Sequence, residues 1–202
     1  MGEARCLDNL HVEEEVKLRI QHNTFLDLLK RNGIGYSVIG SYLQRDLIFD
    51  FPDMRLLKSD QLLRVRLENN EIILTFKGKR EFVGHSKKRI EIEGTIGSES
   101  ALRALERIGI RVPSLPNDLS GIIRLLARKG LKVILEIVKK RTSLKLNGWN
   151  CRVHLDFVES LGEFVEIEGS DGNELVDVLQ LSRRVVRKSY AEMLAGFLIE
   201  EL

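Results

Sequence analysis

Between His11 and Ile20 the sequence HVEEEVKLRI puts Glu13, Glu15, Lys17 and Arg19 on alternate positions. In an extended segment these share one side, and Val12, Val16, Leu18 and Ile20 share the other. The same division recurs along the chain. Arg64, Arg66 and Glu68 oppose Leu63, Val65 and Leu67; Thr75 and Lys77 oppose Leu74 and Phe76; Lys87, Arg89, Glu91 and Glu93 oppose Ile90 and Ile92. Further on, Arg152, His154 and Asp156 oppose Val153, Leu155 and Phe157, Glu166 and Glu168 oppose Val165 and Ile167, and Lys139/Arg141 form a further basic doublet. Any one of these fits a sheet with one face on a core and the other in water. Taken together they do not, because like charges at neighbouring positions repel by roughly a few tenths of a kcal/mol or more. Segregated clusters make sense when polyvalent partners neutralise them, a divalent cation on the carboxylates and a polyanion on the Lys and Arg groups. A metal with phosphates is the simplest such pair, and carboxylate oxygens suit Mg²⁺ or Mn²⁺ rather than zinc.

The elements that must position these groups follow from periodicity. Alternation predicts eight strands, near 12–20, 37–50, 62–68, 71–78, 86–95, 133–146, 150–158 and 163–170. Asn69-Asn70 and Asn147-Gly148 read as tight hairpin turns, which makes their flanking strands antiparallel. Helical spacing predicts helices near 22–31, 98–108, 118–129, 173–182 and 188–201, the first three ending at Gly33, Gly109 and Gly130. The class is α+β. EIEGTIGSE, from Glu91 to Glu99, recurs as EIEGSDGNE, from Glu166 to Glu174, each leading into a helix capped by Ser98 or Asn173. One domain over 1–202 is expected, built of two pseudo-symmetric halves (about 11–110 and 131–202). Residues 111–130, with Pro113 and Pro116, join them as a helical connector or a lid. Eight strands suffice to close an antiparallel barrel, its apolar face outward beneath amphipathic helices and its ionic face lining a tunnel.

The 202-residue chain is 43% hydrophobic and 31% charged, enough for a sizeable core. With 32 Lys and Arg against 30 Asp and Glu it has no global electrostatic bias toward nucleic acid or a membrane surface. Its apolar runs are too short to span a bilayer and its first residues do not read as a signal peptide, so a cytoplasmic protein is expected. Cys6 and Cys151 are too few for a disulfide framework or a thiolate metal site and are read as reduced and structural.

Glu13-x-Glu15-x-Lys17 resembles the ExExK signature of the CYTH superfamily, the triphosphate tunnel metalloenzymes. LLRVR, LTFKG, RIEIEG, VKKR, LDFVESLGEFVEIEG and KSYAEML follow in the family's order, so the resemblance spans about residues 13–194. Within the superfamily the chain is most similar to the class IV adenylyl cyclase type, including QRDLIFD from Gln44 to Asp50. Cyclase members carry a His-Phe pair where this chain has Leu7-Asp8.

The resemblance implies an eight-stranded tunnel that binds a metal and a triphosphate, and a homodimer. Glu13, Glu15, Glu93, Glu166 and Glu168 would hold Mg²⁺ or Mn²⁺. Lys17, Arg64, Arg66, Lys77, Arg89, Lys139 and Arg141 would bind the triphosphate, with Lys17 and Asp156 catalytic. Tyr190 either closes one tunnel end or packs its ring on the sheet. Arg19, Glu68, Lys87 and Arg152 are read as solvated charges at the mouths, and His154 is left aside because a histidine on a polar strand is more often a surface residue. Three functions are compatible: cyclisation of ATP to cyclic AMP and pyrophosphate, hydrolysis of inorganic, nucleoside or thiamine triphosphate, and non-catalytic polyphosphate binding.

Overall fold

The computed structural model describes residues 11–200, with the side chains of 197–200 excepted. Its strands are β1 (His11–Leu18), β2 (Tyr36–Asp50), β3 (Leu62–Glu68), β4 (Glu71–Lys77), β5 (Glu81–Val83), β6 (Ser86–Thr95), β7 (Lys132–Leu146), β8 (Cys151–Val158) and β9 (Gly162–Gly169). They form one antiparallel sheet in the order β1-β9-β8-β7-β2-β3-β4-β6-β5. A further pairing of β1 with β6 joins the ends, so eight strands close a barrel and β5 hangs from β6 as a short flap. Closure relies on β1 alone: its first half pairs with β6, from His11↔Glu91 to Glu15↔Lys87, and its second half with β9, from Glu15↔Glu168 to Leu18↔Val165.

Among the described residues six α-helices surround the barrel: α1 (His22–Arg31), α2 (Arg55–Lys58), α3 (Glu99–Glu106), α4 (Leu119–Arg128), α5 (Gly172–Val178) and α6 (Tyr190–Glu200). The outward strand residues meet the helices' apolar faces in two cores. Val16, Leu18, Val153, Val165 and Ile167 pack with Phe25 and Leu29 of α1 and Leu175 and Val176 of α5. Leu63, Val65, Leu74 and Phe76 pack with Ala101 and Leu105 of α3 and Ile122 and Leu126 of α4. Burying a residue of this size contributes about 1.5–3 kcal/mol, and these contacts fix the outward parity of each strand and hence the inward set.

The structure refines several local expectations. Asn69 and Asn70 lie in the left-handed region at φ 48° and 66°, as a two-residue hairpin turn requires. The β7–β8 connection is instead wider, spanning residues 147–150, because Trp149 packs on the first core and the Asn150 N–H donates to Asp171 Oδ2 at 2.6 Å. Ser98 caps α3 by accepting from the Ala101 N–H at 3.2 Å, but Asn173 does not cap α5. Its amide oxygen instead accepts from the His85 and Ser86 N–H groups at 2.7 and 3.1 Å and so holds the β5–β6 turn. The segment 111–130 is no lid: α4 packs on the outer wall and none of these residues lines the tunnel. Neither α2 nor β5 was expected. The buried Asp50 carboxylate organises α2, accepting from the N–H groups of Phe51, Leu56 and Leu57 at 2.7–3.0 Å.

Candidate functional site

The inward residues surround a cavity of about 620 Å³. Among the described residues its wall carries nine Lys or Arg and eight Asp or Glu, so it is nearly neutral while holding many opposed charges. One end is blocked by α6, whose Ser189–Ala191 entrance meets Ile48, Leu62 and Ile137. The other is the open mouth, between His11, Ile39 and Arg152.

Glu13 and Glu15 project inward because they are two apart on β1, and Glu168 joins them because β9 places it directly opposite Glu15. One oxygen from each of the three lies within 4.8 Å of the others. Like-charged cross-strand neighbours are unfavourable unless neutralised. Here Lys77 donates to Glu13 at 2.6 Å, Arg89 to Glu13 at 3.1 Å and Lys87 to Glu15 at 2.5 Å, while Nε2 of His154 stands 3.1 Å from Glu168. Three convergent hard oxygen donors fit Mg²⁺ or Mn²⁺. Burial works against ionised Glu13, but Lys77 and Arg89 outweigh it and hold its pKa below the ordinary range.

Glu93 and Glu166 stand apart from this trio. Glu93 accepts from Arg64 at 2.9 Å and from Thr75 at 2.8 Å, near the open end of β6. Glu166 is enclosed by cations, Lys17 at 3.1 Å, Lys139 at 4.0 Å and a close Arg141. Its pKa is held well below the usual carboxylate range, burial notwithstanding.

The seven predicted phosphate-binding cations all face the cavity. Arg66 makes a two-pronged pair with Asp46 at 2.7 and 2.8 Å, and Arg64 approaches the same carboxylate at 3.5 Å. Lys139 and Arg141 meet at Asp156, the first at 2.6 Å and the second at 2.8 Å through two nitrogens. Asp156 is fully buried behind them, so its carboxylate orients the two cations and does not border the cavity. Lys139 bears the cost of this crowding: burial first, then Arg141, pushes its pKa down to about 8. Lys17 stands 4.1 Å over the Tyr190 ring, whose hydroxyl donates to Asp156 at 3.1 Å. Tyr190 thus both closes the tunnel end and packs its ring against the cations.

Arg19, beyond the end of β1, lies over the Phe164 ring outside the cavity. Lys87 is only 6% exposed and belongs to the tunnel. His154 is also buried there, its Nδ1 2.8 Å from Ser143 Oγ. Gln44 and Asp46, part of the QRDLIFD resemblance but not among the expected site residues, also line the cavity, and with Ile48 they share a parity on β2 that marks them as inward. The Leu7-Asp8 pair lies outside the described residues.

A family model described as CYTH domain matches residues 11–190. The chain is 27% identical over 198 residues to a Methanocaldococcus jannaschii protein named "Putative adenylate cyclase MJ0240", covering 90% of this chain and 98% of that one. Among solved structures it is similar to the PH1819 protein of Pyrococcus horikoshii, with TM-score 0.68, 26% identity and coverage of 91% and 98% of the two chains. It also shares the fold of a Hippeastrum protein described as "Putative adenylyl cyclase HpAC1" with "a dominant triphophatase activity", at TM-score 0.55, 20% identity and coverage of 93% and 87%.

Proposed function

The chain belongs to the CYTH domain family, and on that premise we propose that it is a metal-dependent enzyme acting on a small-molecule triphosphate inside the barrel, with class IV adenylyl cyclase chemistry as the first reading. The observation that carries this is the convergence of Glu13, Glu15 and Glu168 within 4.8 Å in the same cavity as the Lys and Arg clusters. The M. jannaschii relative's name points the same way.

Glu13, Glu15 and Glu168 would hold Mg²⁺ or Mn²⁺. The bound ion would polarise phosphate oxygens as a Lewis acid. Lys17, Arg64, Arg66, Lys77, Arg89, Lys139 and Arg141 would turn their remaining N–H groups to phosphate oxygens and stabilise the leaving polyphosphate. Asp156 is a positioning residue, holding Lys139 and Arg141 toward the cavity. Glu166 and Glu93 would keep Lys17, Arg141 and Arg64 charged and oriented.

In cyclisation the ribose 3′-hydroxyl attacks the α-phosphorus and pyrophosphate leaves. Hydrolysis, in which water attacks the terminal phosphorus, is the second reading. The Hippeastrum protein's description, which carries both names for a protein sharing this fold, supports keeping this second reading. Purified protein with Mg²⁺ or Mn²⁺ and, in turn, ATP, inorganic triphosphate and thiamine triphosphate separates them by product. Cyclic AMP with pyrophosphate identifies a cyclase and orthophosphate a hydrolase. Tight triphosphate binding with no turnover of any of the three would overturn the enzymatic reading.

A further inference from the structure

Gln44 carries the only amide side chain among the described residues that line the tunnel, and it is 2% exposed. Its nitrogen donates to Glu68 Oε2 of the neighbouring β3 in a close contact. An amide oxygen turned to that carboxylate would be repelled, so Glu68 decides which way the amide points. The other end, Oε1, is buried without a hydrogen-bond partner, the one side-chain oxygen of which this is true among the described residues. A buried acceptor left in that state costs about 1–3 kcal/mol.

The groups beside it do not supply the missing donor. Lys139, its register partner on β7, gives its ammonium to Asp156 at 2.6 Å, and Arg66 holds Asp46 with two nitrogens at 2.7 and 2.8 Å. A phosphate chain does not supply it either, since ionised phosphate oxygens accept hydrogen bonds and offer none. The donor that fits is an O–H group entering with the phosphates. Strand order puts β2 opposite β1 across the bore, with three strands between them in either direction. Gln44 therefore faces the wall that carries Glu13 and Glu15, and a triphosphate held in the bore lies between that wall and the amide.

We propose that Gln44 Oε1 accepts the hydrogen bond of the attacking O–H group, water or a hydroxyl of the substrate, and so sets its oxygen in line with the phosphorus. The assignment rests on the enzymatic reading of the tunnel and deepens it. The attacking oxygen forms a bond to phosphorus, the bridging P–O bond breaks, and its electron pair leaves with the departing phosphate. The proton of the O–H passes to that phosphate or to solvent. The amide takes no proton; it fixes direction, and a misplacement of about 1 Å in such a geometry costs roughly 100-fold in rate.

Gln44→Met keeps the length of the side chain and removes the acceptor. Steady-state turnover with Mg²⁺ should show kcat lowered about 100-fold, with KM and the far-UV circular dichroism unchanged. With inorganic triphosphate the attacking O–H is water. With ATP, cyclic AMP marks the ribose hydroxyl and orthophosphate marks water, so the product whose kcat falls identifies the group that Gln44 holds. An unchanged kcat for every product, or a rise in KM that accounts for the loss, overturns the assignment and leaves the enzymatic reading standing. Absence of turnover by the parent chain with ATP, inorganic triphosphate and thiamine triphosphate overturns both. Should Gln44→Met fail to fold, Glu68→Gln at its half-buried position frees the amide to turn. There kcat should drop about fivefold at unchanged KM, and an unchanged kcat overturns the assignment.

Discussion

His154 and Lys139 show how much a residue's role depends on what stands beside it. His154 shares the inward parity of β8, but only the fold brings Nε2 to 3.1 Å from Glu168 and Nδ1 to 2.8 Å from Ser143. Groups that orient a ligating carboxylate typically contribute 10–100-fold to metal affinity. His154→Ala should therefore weaken Mn²⁺ binding by about that factor, measured by calorimetric titration, with little change in far-UV circular dichroism. Lys139, with its pKa pushed down to about 8, is about half charged at that pH. An anionic phosphate beside it favours the charged form, so binding takes up protons and affinity falls as pH rises through 8. Titration of inorganic triphosphate in buffers of different ionisation enthalpy at pH 8.5 should reveal net proton uptake, and Lys139→Arg should reduce it.

At the scale of the element, one device sets a close backbone approach at the end of β9 and another fixes the helix at the tunnel end. The glycine ending each repeated acidic strand lets its neighbour approach. At Gly169 (φ +131°) a Cβ would meet the Asn150 carbonyl oxygen at 2.4 Å and Cys151 Cα at 2.9 Å. Both are backbone atoms, which cannot swing aside, so Gly169→Ala should destabilise the fold by about 2 kcal/mol or more, read from denaturant unfolding. Helix α6 begins with a reciprocal cap. The Ser189 N–H donates to Glu192 at 2.7 Å and the Glu192 N–H to Ser189 Oγ at 3.2 Å, while Arg80 grips Glu192 at 2.6 and 2.9 Å and Asp60 at 2.6 Å. The cap and the Arg80 pairings fix the helix whose first residue, Tyr190, closes the tunnel.

For the whole molecule, the dominant property is a barrel interior built of opposed charges. Breaking one member of a buried pair costs far more than the intact pair contributes. Glu13, Asp156, Glu166 and Glu168 are all held below their ordinary values of 4.5 or 3.8 although burial alone pushes each upward, and Glu192 is lowered to about 2. A folded-state pKa below the unfolded one supplies stability that is complete above the unfolded value and is lost as pH falls through the folded one. Thermal unfolding of the free protein should therefore show Tm steady down to about pH 4.5 and falling toward pH 2. Triphosphate with Mg²⁺ at 100 times its Kd should stabilise the protein by about 2.7 kcal/mol, or roughly 5–10 °C in Tm for a chain of this size.

The sequence by itself determined the eight barrel strands, their antiparallel hairpins, the inward parity of the charged residues and hence the barrel with an ionic bore. These are period-two properties, set locally by the alternation of Glu13, Glu15 and Lys17 with Val16 and Leu18. It also picked out seven of the nine Lys and Arg residues that line the cavity as candidate phosphate ligands, while Lys87 and Arg152 read as solvated charges at the mouths. Only the tertiary structure decided how the carboxylates divide, with Glu168 joining Glu13 and Glu15 while Glu166 goes to Lys17 and Arg141 and Asp156 lies behind the wall. Parity assigns a face, but which acid meets which base depends on cross-strand register and barrel closure. Those are fixed by pairings such as Glu15↔Glu168, between residues far apart in the chain.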